Sequence, residues 1–405
     1  MALYVQKFGG TSVGSLERIE AVADRVACAV RAGDAIVVVL SAMAGETNRL
    51  VALAHQVNAD PEPREFDLLI STGEQISIAL MAMALHKRGI SAQALLGDQA
   101  QIVTDGRFGK ARIEAVRINK LQQLLQQGIV PIVAGFQGRC QAGELTTLGR
   151  GGSDTTAVAI AAALKADECQ IYTDVDGVYT TDPRVEPNAR KMESITFAQM
   201  MELSTLGAKV LQDRSVEYAG RYQVPLRVLS SLDLGAGTLI TYEKNCSDRC
   251  SVVGIAFHRD EASLTLVGIP DNDRVMAQVL TPLHKVGIAT DMTQQYSTQV
   301  GKANLVLMLH RSDVSQARVL LTPVMQQLGA VQLQEDPHIC KVSVVGTNLQ
   351  QAHMSNEVQQ RLLNEGIDVQ FMAASEIKIS VAMDEKYMEL AVRSLHQAFN
   401  LDAAS

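Results

Sequence analysis

From Ala2 to about Tyr242 short β-branched apolar runs alternate with longer segments whose apolar residues recur every three or four positions. Ala2–Gln6 is β-prone, and the segment after it places Ile19, Val22, Ala23, Val26 and Val30 on one helical face. Ala35–Leu40 is uninterrupted Ala-Ile-Val-Val-Val-Leu, the pattern of a parallel strand buried on both faces. Further strands are predicted at Ser91–Leu95, Ile129–Ala134, Gln170–Thr173 and Val224–Val228. Helices are predicted at Ile76–Leu85, Arg112–Gln127, from Ser153 to Leu164, at Phe197–Leu203 and at Val210–Tyr222. Steady alternation of this kind predicts an α/β domain with a mainly parallel sheet.

Beyond a polar linker, Asn245–Cys250, the order changes. Ser263–Ile269 reads as strand, Asp271–Val286 as helix, Ile288–Thr293 and Ala303–His310 as strands, Asp313–Leu328 as helix and Ala330–Gln334 as strand, which is one βαββαβ unit. The order begins again with strand Lys341–Val345, helix Gln350–Glu365, strands Ile367–Met372 and Ile377–Met383, and helix Asp384–Phe399, and stops one strand short. Val252–Phe257, an unclaimed strand before the first unit, is expected to complete the second.

Chemistry gathers at the strand ends of the first half, where open α/β sheets bind ligands. The stretch Thr147–Ala159 has three glycines in four positions, Gly149, Gly151 and Gly152, then Ser153-Asp154-Thr155-Thr156 and a small-residue helical run. Such a loop brings backbone N–H groups and a helix N-terminus to an anion, and Arg150 adds a planar cation able to grip a carboxylate or phosphate in two places. Any of Ser153, Asp154, Thr155 or Thr156 would cap the helix. Lys7-Phe8-Gly9-Gly10 follows the first strand; the spacing of a phosphate loop is absent, so it reads either as phosphate-binding or as a plain turn with a surface lysine. Ser41 to Thr47 follows the second strand. Glu74, entering a helix among apolar residues, either serves the helix dipole or holds an amino group. Asp174, Asp176 and Asp182, set among Gly177 and Pro183, either form ordinary turns or support a nucleotide with its metal.

Composition narrows the classes. The 405 residues suggest two or three domains; 47% are hydrophobic and 20% charged, as in a globular protein with ample core. A net charge of −8 with no basic run argues against nucleic acid. Met1–Lys7 lacks the features of a signal peptide, and no apolar window of eighteen residues is seen, so neither export nor a membrane is expected. Six cysteines, mostly scattered singly, suit a reduced cytoplasmic setting. Cys246 and Cys250 are close, but nothing completes a zinc site. Lysines, arginines and carboxylates without a placed His or Cys nucleophile fit phosphoryl transfer, in which a protein mainly positions groups and neutralises charge.

Taken together, Lys7–Ser12, Ser41-Ala42-Met43, Thr72-Gly73-Glu74, Gly135–Gly138, Thr147–Thr156 and Tyr172–Arg184 closely resemble the aspartokinases of the amino-acid kinase superfamily, over a region running from Met1 to about Thr241. The resemblance implies a catalytic domain over 1–245, a linker with the extra strand over 246–262, and two ferredoxin-like ACT domains over 263–336 and 337–405. It implies transfer of the γ-phosphoryl of ATP, with Mg²⁺, to the side-chain carboxylate of L-aspartate, the first step toward lysine, threonine, methionine and diaminopimelate. It casts Lys7, Asp154 and Arg150 as catalytic. Lys7, Phe8, Gly9, Gly10, Ser41, Thr173, Asp174, Tyr179, Thr180, Thr181, Asp182, Pro183, Arg184 and Lys209 fall to ATP. Thr47, Glu74, Arg150, Gly151, Gly152 and Ser153 fall to aspartate. No direct protein ligand for Mg²⁺ is implied. Asp291, Met292, Gln295, Ser375 and Glu376 match effector positions for lysine or threonine, and pairing of ACT domains between chains implies a homodimer or homotetramer. The loops Pro270–Arg274, Lys302-Ala303-Asn304 and Gly346–Met354 depart from the family pattern, which implies altered feedback. A related kinase of glutamate, and a non-catalytic amino-acid-binding regulator, are the competing readings.

Overall fold

The computed structural model describes residues 2–207, 211–242, 251–272, 274–299 and 301–403, so Lys209, Cys246 and Cys250 lie outside the described residues. The chain divides into two compact units. The first is Met1–Val178, Lys191–Ser204 and Lys209–Asn245; the second is Tyr179–Arg190, Thr205–Ala208 and Cys246–Ser405.

In chain order the first unit contains β1 (Leu3–Phe8), α1 (Leu16–Arg31), β2 (Ala35–Leu40), α2 (Glu46–Val57), α3 (Pro63–Ile70), α4 (Thr72–Lys87), β3 (Ala92–Leu95), β4 (Ile102–Thr104), β5 (Ile113–Val116), α5 (Asn119–Gln126), β6 (Val130–Ala134), β7 (Gln137–Cys140) and β8 (Leu145–Thr147). It continues with α6 (Gly152–Leu164), β9 (Glu168–Thr173), β10 (Ser194–Thr196), α7 (Phe197–Thr205), α8 (Asp213–Tyr222), β11 (Leu226–Ser230) and β12 (Thr238–Thr241). Eight strands form the main sheet in the order β10-β12-β11-β9-β1-β2-β6-β3. The run from β11 to β3 is parallel, and only the step from β11 to β12 is antiparallel. The β-branched runs are its central strands because both faces are covered, α1 and α4 on one side and α6 on the other. Alternation along β1 buries Phe8 with the α1 core, where it stacks on Tyr172, and turns Lys7 to the opposite face.

Two expectations are corrected here. Arg112–Gln127 is not one helix: Ile113–Val116 is β5, an edge strand paired with β4, and the helix begins only at Asn119. β4, β5, β7 and β8 form a second, four-stranded sheet in the order β5-β4-β7-β8. Secondly, the helix after the glycine stretch is capped by no hydroxyl or carboxylate. Gly151 is its N-cap, in the left-handed region at φ 70°. A side chain there would be strained, and its Cβ would fall 2.3 Å from the Gln212 side chain. The run Pro63–Lys87 is long and apolar enough to pass for a membrane span, but more than half of its most apolar stretch is buried and α4 packs against α1, β3 and β6, as a core helix does.

In the second unit the elements are β13 (Ser251–Pro270), α9 (Arg274–Lys285), β14 (Thr290–Gln299), β15 (Lys302–His310), α10 (Val314–Leu328), β16 (Gln332–Thr347), α11 (Ala352–Asn364), β17 (Phe371–Ala374), β18 (Lys378–Asp384) and α12 (Met388–Ala398). One sheet runs β14-β15-β13-β16-β18-β17. Its two central strands are long and each serves twice. Residues 263–267 of β13 pair with 332–336 of β16, while residues 251–258 pair with 341–347. Two apolar cores result, one around Leu264, Leu305 and Leu321, the other around Val342, Val381 and Leu395. Val185, from the segment Tyr179–Arg190, is part of the latter core.

Candidate active site

β1, β2, β6 and β8 deliver their ends, with the first turns of α4 and α6, to one cavity of about 390 Å³. Its walls include Lys7, Gly10, Ser41, Thr47, Glu74, Gly149, Arg150, Gly151, Gly152, Ser153 and Asp154. The structure thus brings together most of the residues expected to bind aspartate and the phosphates.

Lys7 is buried, not on the surface, and its Nζ lies 2.6 Å from Oδ1 of Asp154 on the first turn of α6. The two meet as charges without an aligned hydrogen bond. Asp154 also sits where the helix dipole favours a negative charge. Gly9 spends its N–H on the Tyr172 carbonyl at 3.2 Å, which ties the loop after β1 to β9, and Gly10 lies so close to the Ala42 carbonyl that a Cβ would sit 3.0 Å from it.

Glu74 is 3% exposed. Its Oε1 accepts the Ala42 N–H at 3.0 Å, and its Oε2 has no hydrogen-bond partner among the described residues. Burial pushes the carboxyl up to about 7, against the pull of the Ala42 N–H and its own backbone N–H. Arg150 is exposed at the rim and makes no ion pair or hydrogen bond with the described residues. The site therefore offers an unpaired guanidinium and a half-satisfied carboxyl, the two groups an amino acid would engage at its carboxylate and ammonium ends.

Other expected residues lie elsewhere. The Phe8 side chain belongs to the core, so only its backbone is near the loop; its carbonyl accepts the Ser41 N–H at 3.1 Å. Thr173 and Asp174, at the end of β9, hydrogen-bond to each other at 2.9 Å. Tyr179, Thr180, Thr181, Asp182, Pro183 and Arg184 belong to the second unit. There the Arg184 guanidinium holds the Asp182 carboxyl below its usual range, and Thr180 shares its hydroxyl with His396 Nε2 at 2.9 Å. Among the expected effector residues, Asp291 pairs with Lys341, a buried cation that also lies 3.8 Å from Glu261. Met292 packs against the small core of Met308, Ile339 and Ala382, and Gln295 donates to Asp271 at 3.0 Å. Ser375 and Glu376 occupy the turn between β17 and β18, at the opposite edge of the sheet from β14. Two residues that line the cavity had been given no role from the sequence, Phe136 within the Gly135–Gly138 stretch and Gln212 within the predicted Val210–Tyr222 helix, and neither had the buried Asp67.

Fold and cavity together define a kinase of the class that phosphorylates small acids. The Amino acid kinase family model matches residues 2–230, and an ACT domain model matches 342–399. An aspartate kinase of Pseudomonas putida is 53% identical over all of this chain and 98% of its own length; an aspartokinase of Geobacillus stearothermophilus is 45% identical over 99% and 98%. Among solved structures, E. coli aspartokinase III in complex with aspartate and ADP superposes with a TM-score of 0.78, at 29% identity over 98% of this chain and all of the other. The same enzyme with lysine and aspartate gives 0.75 over 98% and 99%. The chain belongs to the amino acid kinase family and, within it, to the aspartokinases.

Proposed function

We propose that this chain transfers the γ-phosphoryl group of ATP to the side-chain carboxylate of L-aspartate. A carboxylate oxygen attacks the γ-phosphorus as its bond to the β,γ-bridging oxygen breaks, giving 4-phospho-L-aspartate and ADP. The nucleophile is already ionised at neutral pH, so no general base is needed. What the protein must supply is relief of repulsion between two anions and a fixed line of attack. The observation that carries the reading is the convergence of Lys7, Arg150 and Glu74 on one cavity.

In this reading Lys7, steadied by Asp154, neutralises charge on the transferring phosphoryl group, with Gly9 and Gly10 keeping the backbone close. Arg150 takes the aspartate α-carboxylate, with Ser153 and Thr47 as hydrogen-bond partners, and Glu74 takes the α-ammonium. Gly151 and Gly152 keep side chains out of that approach. Ser41, Thr173, Asp174, Tyr179–Arg184 and Lys209 serve the nucleotide. Magnesium would enter as part of the substrate Mg-ATP, where it would stay with the phosphate oxygens and keep several of its waters.

The second unit is proposed to read an amino acid, lysine or threonine, and to join chains into a homodimer or homotetramer; the departures in its loops support altered feedback. A cytoplasmic place at the head of lysine, threonine, methionine and diaminopimelate synthesis belongs to the same proposal; Cys28, Cys140, Cys169 and Cys340 are free thiols. The test is ADP formation from Mg-ATP with L-aspartate or L-glutamate, each with and without lysine and threonine. Turnover with aspartate alone is expected, and equal rates with glutamate would overturn the assignment.

A further inference from the structure

We propose that Asp67 is a positioning residue for the amino-acid substrate, fixing the loop that carries Arg150 relative to the helix that carries Glu74. This rests on the reading of Arg150 and Glu74 as the two ends of the aspartate site.

Asp67 is fully buried in α3, within the apolar run Phe66-Asp67-Leu68-Leu69-Ile70. Both carboxylate oxygens are used. Oδ1 accepts the Gly109 N–H at 3.0 Å and the Thr147 hydroxyl at 2.8 Å; Oδ2 accepts the Thr147 N–H at 2.7 Å and the Gly109 N–H at 2.9 Å. Among the described residues no lysine or arginine pairs with it, so a buried charge is held there by neutral donors, an arrangement that tolerates no lost partner. Burial raises the carboxyl above its ordinary range and these hydrogen bonds pull it back.

What the carboxylate holds matters more than its burial. Thr147 ends β8, and Arg150 follows three positions later. The Thr147 carbonyl accepts the Ala111 N–H at 2.9 Å, and Gly149 passes so near the Gly109 carbonyl that a Cβ would sit 2.9 Å from it. Asp67 therefore clamps the root of the Arg150 loop to its neighbouring loop through backbone N–H groups. In the other direction α3 runs through buried Ser71, whose carbonyl accepts from Gln137 Nε2 at 2.9 Å, directly into α4. Asp67 and Glu74 are about two helical turns apart on that run. One grips the Arg150 loop and the other projects into the cavity. Lys7 stands on β1, outside this linkage, and meets it only through Asp154 on the first turn of α6.

The substitution Asp67→Asn keeps the shape but turns an NH₂ donor against backbone donors. The expected result is a KM for aspartate raised about tenfold or more, with the KM for Mg-ATP within about twofold of wild type. Thr147→Val, which removes one hydroxyl bond and leaves the carboxylate in place, should raise the aspartate KM by about threefold, and Thr147→Ser should restore it. If Asp67→Asn does not fold, the Thr147 pair decides the matter. Equal changes in both KM values, a fall in melting temperature and kcat with the aspartate KM unchanged, or a Thr147→Val enzyme with normal aspartate KM would make Asp67 structural only and overturn the proposal. Wild-type protein that turns over no aspartate would overturn the functional reading, and this role with it, before any variant is compared.

Discussion

Lys7 and Asp154 form the most buried ion pair among the described residues of the first unit, with side chains 10% and 12% exposed. A lysine in a loop would be dispensable for folding. This one is not, because removing it leaves a carboxylate buried without its partner, at a cost of roughly 3–5 kcal/mol. Lys7→Met should therefore lose both melting temperature and activity, the latter by about 100-fold or more. Lys7→Met combined with Asp154→Asn should recover most of the melting temperature and none of the kcat. Recovery of activity in the double variant would remove Lys7 from the chemistry.

Glu74 gives a prediction with a sign. Its folded value of about 7 lies above the ordinary carboxylate value, so the empty site holds a proton that the unfolded chain gives up. Burying the charge then costs stability as pH rises from about 4.5 through 7, on the order of 3 kcal/mol in all. Pairing with a substrate ammonium needs the ionised form, so the aspartate KM should fall as pH rises through 7. Melting temperature and KM measured from pH 5 to 8 test both halves, and Glu74→Gln should flatten each. A pH-independent KM in wild type would remove Glu74 from the ammonium site.

Arg150 is exposed and unpaired among the described residues, so its loss should leave the fold alone. Arg150→Lys keeps the charge but gives up the planar fork that engages a carboxylate through two parallel bonds. The aspartate KM should rise by about 10- to 100-fold, with an unchanged melting temperature and ATP KM. An aspartate KM within twofold of wild type would move carboxylate recognition elsewhere.

In the second unit, burial holds the His396 imidazole below its usual range despite Glu186 and Asp402 nearby. It stays neutral in the fold while the unfolded chain takes up a proton, so its contribution to stability is present above about pH 6.5 and is lost as pH falls through the lower folded value. His396→Leu should flatten the acid limb of the unfolding curve between pH 7 and 5. An unaltered limb would assign acid lability to other groups.

The legible parts of this chain were those where periodicity and punctuation agree. Val37, Val38 and Val39 could be buried on both faces only in the middle of a parallel sheet, and the glycine stretch at 149–152 marked the cavity wall. The second sheet was not legible, because strands as short as Ile102–Thr104 and Leu145–Thr147 carry too few two-residue repeats to show an alternation. Ile113–Val116 was absorbed into the helix beside it for the same reason; its register comes from pairing with β4, a contact between separate segments. Asp67 was invisible for another reason. A single acid within Phe66–Ile70 looks like the polar edge of an amphipathic helix, and only the fold shows two N–H groups and a hydroxyl converging on it. The environment of Lys7 was legible only through the resemblance, which placed Asp154 with it among the catalytic residues; the alternation of β1 by itself does not reveal that α6 brings a carboxylate to it.

The most direct test of the central claim is chemical capture of the product. Incubated with Mg-ATP, L-aspartate and hydroxylamine, the protein should form aspartate β-hydroxamate in step with ADP, because an acyl phosphate is intercepted before it hydrolyses. ADP release without hydroxamate would mean that phosphate goes to water and that aspartate is not the acceptor.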